Sequence, residues 1–204
     1  MKRIHLVRHG AVLNPDAVVY GRLPGFPLSP EGQAQVQMTA AFLKRTLASS
    51  LNHIIASPLQ RAQQTASIVA KGYGANVVTD EQLIEAGSPF DGLPRRFAPM
   101  QYVSRYFDRT RAHQHEAPGD VAARMMRAVR EALLLEGLDV VLVAHQFPIQ
   151  MARVGFERQL DERSSFFFKR VPMALLRVRC SLASVTTLSF QTGALTPTIH
   201  YWEP

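Results

Sequence analysis

Ile4-His5-Leu6-Val7-Arg8-His9-Gly10 begins as a short, largely apolar run and ends in a cation, an imidazole and a glycine. Ile4 to Val7 reads as a strand buried on both faces, of the kind found in parallel sheets. Its counterpart is Asp139 to Ala144, equally apolar and followed at once by His145. Strands alternate with helical periodicities across most of the chain. The pattern predicts an α/β three-layer sandwich with a mainly parallel central sheet and helices on both faces. In such sheets ligands bind beyond the carboxyl ends of the strands, so neighbouring strands would aim His9 and His145 into one crevice.

The rest of the chain fits around that pair. Arg8 to Leu28 is rich in turn formers (Gly10, Asn14, Pro15, Gly21, Pro24, Gly25, Pro27) and reads as a long surface loop, a place where function often resides. Ser29 is placed to cap a helix with Pro30 at its first position and Val36, Ala40, Leu43 and Leu47 on one face. His53 to Ala56 reads as a second strand, and Ser57-Pro58 as another cap-and-proline start, with Ala62, Ala66 and Val69 turned inward. Val77 to Thr79 is the expected third strand. Asp120 is expected to cap a helix carrying Val121, Met125, Val129 and Leu133 that stops by Gly137. Ser184 to Phe190 and Thr196 to Trp202 read as closing strands around Thr192-Gly193. One domain over residues 1–204 is expected, with 86–118, rich in Pro, Gly, Arg and aromatics, as a segment covering the substrate; Met100 to Arg109 is read as helical within it.

Composition excludes several classes. With 47% apolar and 19% charged residues the chain is of globular type rather than disordered. Its apolar runs are too short to cross a bilayer and Met1 to Val7 is no signal peptide, so no membrane association is expected. Cys180, the one cysteine, cannot form an intrachain disulfide, is assigned to packing, and agrees with a cytoplasmic location. The formal charge of +7 suits an anionic partner. The basic residues are dispersed and no nucleic-acid motif is present, so the expected partner is a small phosphorylated molecule; nothing in the sequence marks an oligomeric state.

Arg8, His9 and Gly10 have the composition of a phosphate site: a permanent cation, an imidazole and a backbone that a ligand can approach closely. Arg61 falls in the first turn of a helix, where free N–H groups and the helix dipole already favour anions. Arg22 adjoins Gly21 in the long loop.

Taken in order, these residues resemble the histidine phosphatase superfamily, also called phosphoglycerate-mutase-like. Arg8-His9-Gly10 is similar to its signature. Asn14, Gly21-Arg22, Pro27-Leu28-Ser29 and Gly32 resemble its loop and first helix, and Ser57-Pro58-Leu59-Gln60-Arg61-Ala62 with Thr65 its second motif. Leu83-Ile84-Glu85 and Ala144-His145 fall where the family has its acid and second histidine. The resemblance implies that His9 is the nucleophile, that Arg8, Arg61 and His145 hold the phosphoryl oxygens, and that Glu85 is the general acid, with Glu81 and Asp91 as rivals. It also implies that Asn14 and Arg22 contact substrate or phosphate, that Gly10 and Gln146 belong to the phosphate site, and that neither cofactor nor metal is needed. The chemistry asks for the same types: a neutral imidazole is nucleophilic near pH 7, and developing phosphoryl charge needs preorganised cations.

Departures exist. Ala11 and Val12 stand where the family commonly has Glu followed by Thr or Ser, and Gln146 replaces its usual glycine. His113, His115 and Glu116 are read as solvated rather than as a metal site. Phe90, Phe97, Tyr102, Tyr106 and Phe107, interleaved with Arg95, Arg96, Arg105 and Arg109, form either a substrate lid or a satellite core. Phe166 to Phe168 is assigned to packing. The leading functional expectation is a metal-independent phosphatase acting on a small phosphomonoester through a phosphohistidine. The alternatives are a phosphoglycerate-type mutase, faintly suggested by Arg95-Arg96, and an inactive phosphate-binding regulatory module.

Overall fold

A computed structural model describes residues 1–47, 51, 53–95, 115–159 and 178–204. The expectations for Met100 to Arg109, for Phe97, Tyr102, Tyr106 and Phe107, for Arg96, Arg105 and Arg109, for His113 and for Phe166 to Phe168 fall outside the described residues.

The described elements are β1 (Lys2–Arg8), α1 (Pro30–Thr46), β2 (His53–Ala56), α2 (Gln60–Lys71), β3 (Val77–Thr79), a 3₁₀ turn (Glu81–Leu83), α3 (Pro118–Leu133), β4 (Asp139–Ala144), α4 (Gln146–Glu157), β5 (Val185–Phe190) and β6 (Thr198–Trp202). The strands form one sheet in the order β3-β2-β4-β1-β5-β6. β3, β2, β4 and β1 pair in parallel, whereas β5 adds antiparallel to β1 and β6 antiparallel to β5. The expected α/β sandwich with a mostly parallel sheet is therefore present. Alternation along each strand splits the core in two. Ile4, Leu6, Val140 and Leu142 face Met125 and Val129 of α3 and Ile149 and Phe156 of α4. Val7, Ile54, Val141 and Val143 face Val36 and Leu43 of α1 and Ala62, Ala66 and Val69 of α2.

Local chemistry explains most boundaries. Ser29 caps α1 as expected, its side chain accepting the Gly32 N–H. Two starts differ from expectation. α2 begins at Gln60 with Leu59 as its cap, so Ser57 does not cap it; its hydroxyl is committed to the site described below. α3 begins at Pro118, which fits the first helical position, so Asp120 lies inside the first turn, where its charge suits the helix dipole. No described helix is long and apolar enough to cross a membrane.

Candidate active site

Register places the two histidines. Arg8 of β1 lies opposite Ala144 of β4, the His9 N–H donates to the Ala144 carbonyl at 3.2 Å, and the Ser57 N–H donates to that of Val143 at 3.0 Å. Three adjacent parallel strands thus deliver His9, Ser57 and His145 to one edge. The imidazole centroids are 5.2 Å apart with planes inclined by 60°. Both rings are buried, as is Arg61, in the first turn of α2.

Packing behind His9 is tight. A Cβ on Gly10 would fall 2.4 Å from the Gly32 carbonyl oxygen at the start of α1. Glycine is therefore required where the loop after β1 presses on a helix backbone, whatever else it offers a ligand.

His9 Nδ1 lies 2.8 Å from the Gly10 carbonyl oxygen. A carbonyl only accepts, so Nδ1 carries the proton and Nε2 keeps its lone pair. Burial, then the Arg61 and Arg8 charges, outweigh the Gly10 carbonyl and hold the imidazole pKa down at about 3. The ring is accordingly neutral and nucleophilic at physiological pH. His145 Nε2 lies 2.7 Å from Ser57 Oγ. Burial first, then His9 and Arg61, push its pKa well below the ordinary value.

Cations surround the pair. Arg8 donates to the Cys180 carbonyl at 2.6 Å and Arg61 to the Gly21 carbonyl at 2.6 Å. Arg8 Nε, Arg61 Nε and His145 Nδ1 are buried with no hydrogen-bond partner among the described residues. Buried polar groups are ordinarily paired, so three unspent groups around one imidazole are a chemical fit to an oxyanion.

A cavity of about 490 Å³ opens above, with Arg8, His9, Tyr20, Glu85 and Gln146 in its lining. Glu85 accepts from the Ala86 N–H at 2.8 Å. Burial raises its pKa against the opposing pull of that N–H, Arg61 and Arg8, so it holds a proton to higher pH than an ordinary glutamate, as an acid catalyst requires. Asp91 also lines the cavity; burial raises its pKa too, against the Arg22 N–H and guanidinium. Its Oδ1 would lie 1.8 Å from a Cβ on Gly21, whose φ is +32°, so only glycine fits there. Glu81 is exposed in the 3₁₀ turn and is not in the lining.

The remaining sequence candidates divide. Gln146, at the first position of α4, reaches the cavity. Asn14 bonds Val18 through both amide atoms, at 2.8 and 3.1 Å, and so closes its own loop. Arg22 spans the loop and the opposite wall, donating to the Glu85 carbonyl and to Glu116, each at 2.6 Å. Neither is in the cavity lining. Glu116, considered with His113 and His115, is engaged instead by Arg22 and Arg124. Cys180 is buried and free, as its packing role requires.

Sequence reading missed Tyr20 and Arg124. Tyr20 lines the cavity edge-on to His9 at 6.4 Å, with the Arg61 and Arg95 guanidiniums 4.8 and 5.5 Å from its ring centroid. Its place directly before Gly21-Arg22 in the long loop was the available signal. Arg124 binds Glu116 and the Gln82 carbonyl at 2.6 Å and looks in sequence like any exposed helical arginine.

Comparisons with known proteins agree with this geometry. The family model described as histidine phosphatase superfamily (branch 1) matches residues 4–202. An uncharacterised protein of Mycobacterium tuberculosis is 37% identical over 207 residues, covering 97% of this chain and 95% of that one. A Yersinia enterocolitica protein named as a probable phosphoglycerate mutase is 31% identical over 154 residues, 71% of this chain and 70% of its own. A solved mycobacterial glucosyl-3-phosphoglycerate phosphatase superposes with a TM-score of 0.72 at 26% identity, covering 100% of this chain and 98% of that one.

Proposed function

The chain belongs to the histidine phosphatase superfamily, and from that premise we propose that it hydrolyses a small phosphomonoester through a phosphohistidine formed on His9. The observation that carries this reading is the hydrogen bond from His9 Nδ1 to the Gly10 carbonyl, which leaves Nε2 as a neutral nucleophile beside the buried Arg61 and the half-buried Arg8. Nε2 attacks phosphorus and the ester P–O bond breaks. The departing alkoxide takes the Glu85 proton. Water then attacks the phosphohistidine, returns a proton to the Glu85 carboxylate, and releases inorganic phosphate with the imidazole restored. Arg8, Arg61 and His145 supply hydrogen bonds and charge to the phosphoryl oxygens throughout, the part that a divalent ion plays elsewhere, so activity is proposed to be independent of metal. Residues 86–118 act as substrate cover within the single domain, a role supported by Ala86, Phe90, Glu116 and Pro118 in the cavity wall.

Brief reaction with a labelled phosphomonoester and an alkaline quench should leave acid-labile label on the peptide containing His9. The same label on His9→Ala would refute the assignment. Dialysis against a chelator should leave the rate nearly unchanged, and a loss restored by magnesium or zinc would overturn the metal-independent mechanism.

The relatives named as phosphoglycerate mutases favour a second reading, in which the phosphohistidine returns its phosphoryl group to the organic product. With 3-phosphoglycerate and a bisphosphorylated primer, phosphate release should exceed isomerisation; the reverse would make the chain a mutase.

A further inference from the structure

Ser57 follows the last residue of β2 and is held there from two sides. Its N–H donates to the Val143 carbonyl of β4 at 3.0 Å, and the Gln63 side-chain amide of α2 donates to its carbonyl at 2.7 Å. The hydroxyl oxygen accepts the Leu59 N–H at 3.4 Å. A serine hydroxyl has one proton to give. Among the described residues its one acceptor is His145 Nε2, at 2.7 Å. Both residues are 0% exposed, so bulk water does not compete for that proton, and a buried hydroxyl without an acceptor is costly. The bond therefore runs from Ser57 to His145; the converse, an Nε2–H given to Ser57, would strand the hydroxyl proton.

The consequence lies on the other side of the ring. Burial first, then His9 and Arg61, keep His145 uncharged near neutral pH. A neutral imidazole that accepts at Nε2 carries its proton on Nδ1, because the bond made by one nitrogen sets the state of the other. Nδ1 is the nitrogen left buried without a partner among the described residues, on a ring 5.2 Å from that of His9. A lone pair there would repel a phosphoryl oxygen, whereas a proton binds one.

We propose that Ser57 is a positioning residue that fixes the tautomer of His145, so that the uncharged ring offers an Nδ1–H to a phosphoryl oxygen. The proposal rests on the phosphate site as assigned above and adds how its second histidine becomes a donor without becoming a cation. Both imidazoles then carry their proton on Nδ1 and meet the phosphoryl group with opposite character. His9, whose Nδ1 is taken by the Gly10 carbonyl, presents a bare Nε2; His145 presents an N–H.

Proton–nitrogen correlation spectra of the full chain labelled in its histidine rings test this at neutral pH, with His145→Gln assigning the signals. Wild-type His145 should show a protonated Nδ1 and a bare Nε2. In Ser57→Ala the proton should move to Nε2, the tautomer that free histidine prefers, and kcat on an alkyl phosphate should fall by up to about 10-fold, the worth of one hydrogen bond. Ser57→Thr, which keeps the hydroxyl, should restore the wild-type tautomer and most of the rate. A wild-type His145 with its proton on Nε2 would overturn the inference before any variant is made, and so would a Ser57→Ala protein whose His145 keeps the proton on Nδ1. If the spectra are as expected while no phosphomonoester releases phosphate, the role of Ser57 in setting the tautomer stands and the phosphatase reading falls. Phosphate release by a protein whose His145 is protonated on Nε2 would keep the phosphatase and remove the role of Ser57.

Discussion

A buried histidine sits at the middle of β1 and a second follows directly after its last residue, and the two are partnered differently. Mid-strand, His5 Nε2 lies 2.9 Å from Asp139 and Nδ1 2.9 Å from Thr187. A carboxylate only accepts, so Nε2 carries the proton and Nδ1 receives the Thr187 hydroxyl. Arg3 completes the cluster with two bonds to Asp139, at 2.6 and 2.8 Å. Just past the strand, among the described residues, His9 has one nitrogen bonded and its neighbour His145 has an Nδ1 without a partner. The same residue type, four positions apart, is structural where both nitrogens are satisfied, and available for chemistry where one is left. Burial alone does not distinguish them, since His5 is 3% exposed and His9 1%.

The strongest test of this contrast exchanges the two roles. His9→Ala should abolish turnover, by roughly 10⁴-fold or more as for other removed nucleophiles, while leaving thermal stability nearly intact. His5→Ala should do the reverse. It strands part of a buried carboxylate cluster and should lower stability by about 1–3 kcal/mol with kcat little changed. Steady-state rates and denaturant melts on the two variants decide it.

Glu85→Gln should come next in size. General acid catalysis contributes roughly 10²–10⁴-fold, and the loss should appear with an alkyl phosphate and largely vanish with an activated aryl phosphate whose oxygen needs no proton. Because burial raises the Glu85 pKa, the basic limb of the alkyl-phosphate pH–rate profile should reflect its ionisation and disappear in the variant. Equal losses on both substrates would point to a binding role and promote Asp91, which lines the same cavity.

Ser57→Ala should have a smaller effect. It removes the ring hydrogen bond between His145 and Ser57, and an ordinary hydrogen bond is worth about 0.5–1.5 kcal/mol, or up to about 10-fold in rate. Nitrogen chemical shifts of His145 should move as well, because Ser57 orients that ring; a rate loss with unmoved shifts would make Ser57 merely a packing residue.

How far the sequence foretold this site depends on whether a residue's role is local or tertiary. His9, His145 and Arg61 were legible because strand ends and a helix first turn are local features, and the parallel pairing of β1 with β4 then brings them together. Ser57 was misread as a helix cap because Ser-Pro has that meaning locally, whereas its hydroxyl is taken by a histidine 88 positions away. Asn14 and Arg22 stand where the resemblance implies ligand contacts; in the structure one closes its own loop and the other clamps two walls. Arg124 and the His5–Asp139 pair become visible only through long-range contacts, as does the antiparallel addition of β5 beside β1.

The smallest effect on rate, and the sharpest on the comparison, is the dependence of stability on acid. The His9 pKa is lowered in the folded protein from 6.5 to about 3. Below pH 6.5 the unfolded chain therefore takes up a proton that the folded chain refuses, and stability falls with decreasing pH until about 3. Asp139 titrates in a lower window. Burial would raise its pKa, but the hydrogen bonds from His5 and Arg3 outweigh that and lower it from 3.8 to about 2. Its contribution is present above pH 3.8 and is lost as pH falls through about 2. His9 and the Asp139 cluster thus respond to acid in succession, His9 first. Removing one such proton uptake changes the slope of stability against pH by about 1.4 kcal/mol per unit. His9→Ala should reduce the slope between pH 6 and 4 by about that amount, leaving the part that His145 contributes through its own lowered pKa, whereas Asp139→Asn should lower stability at neutral pH and leave that slope unaltered. Urea melts at half-unit intervals of pH measure both. An unchanged slope in His9→Ala would mean that His9 is protonated in the folded protein near neutrality, which would remove the neutral nucleophile on which the phosphohistidine mechanism depends.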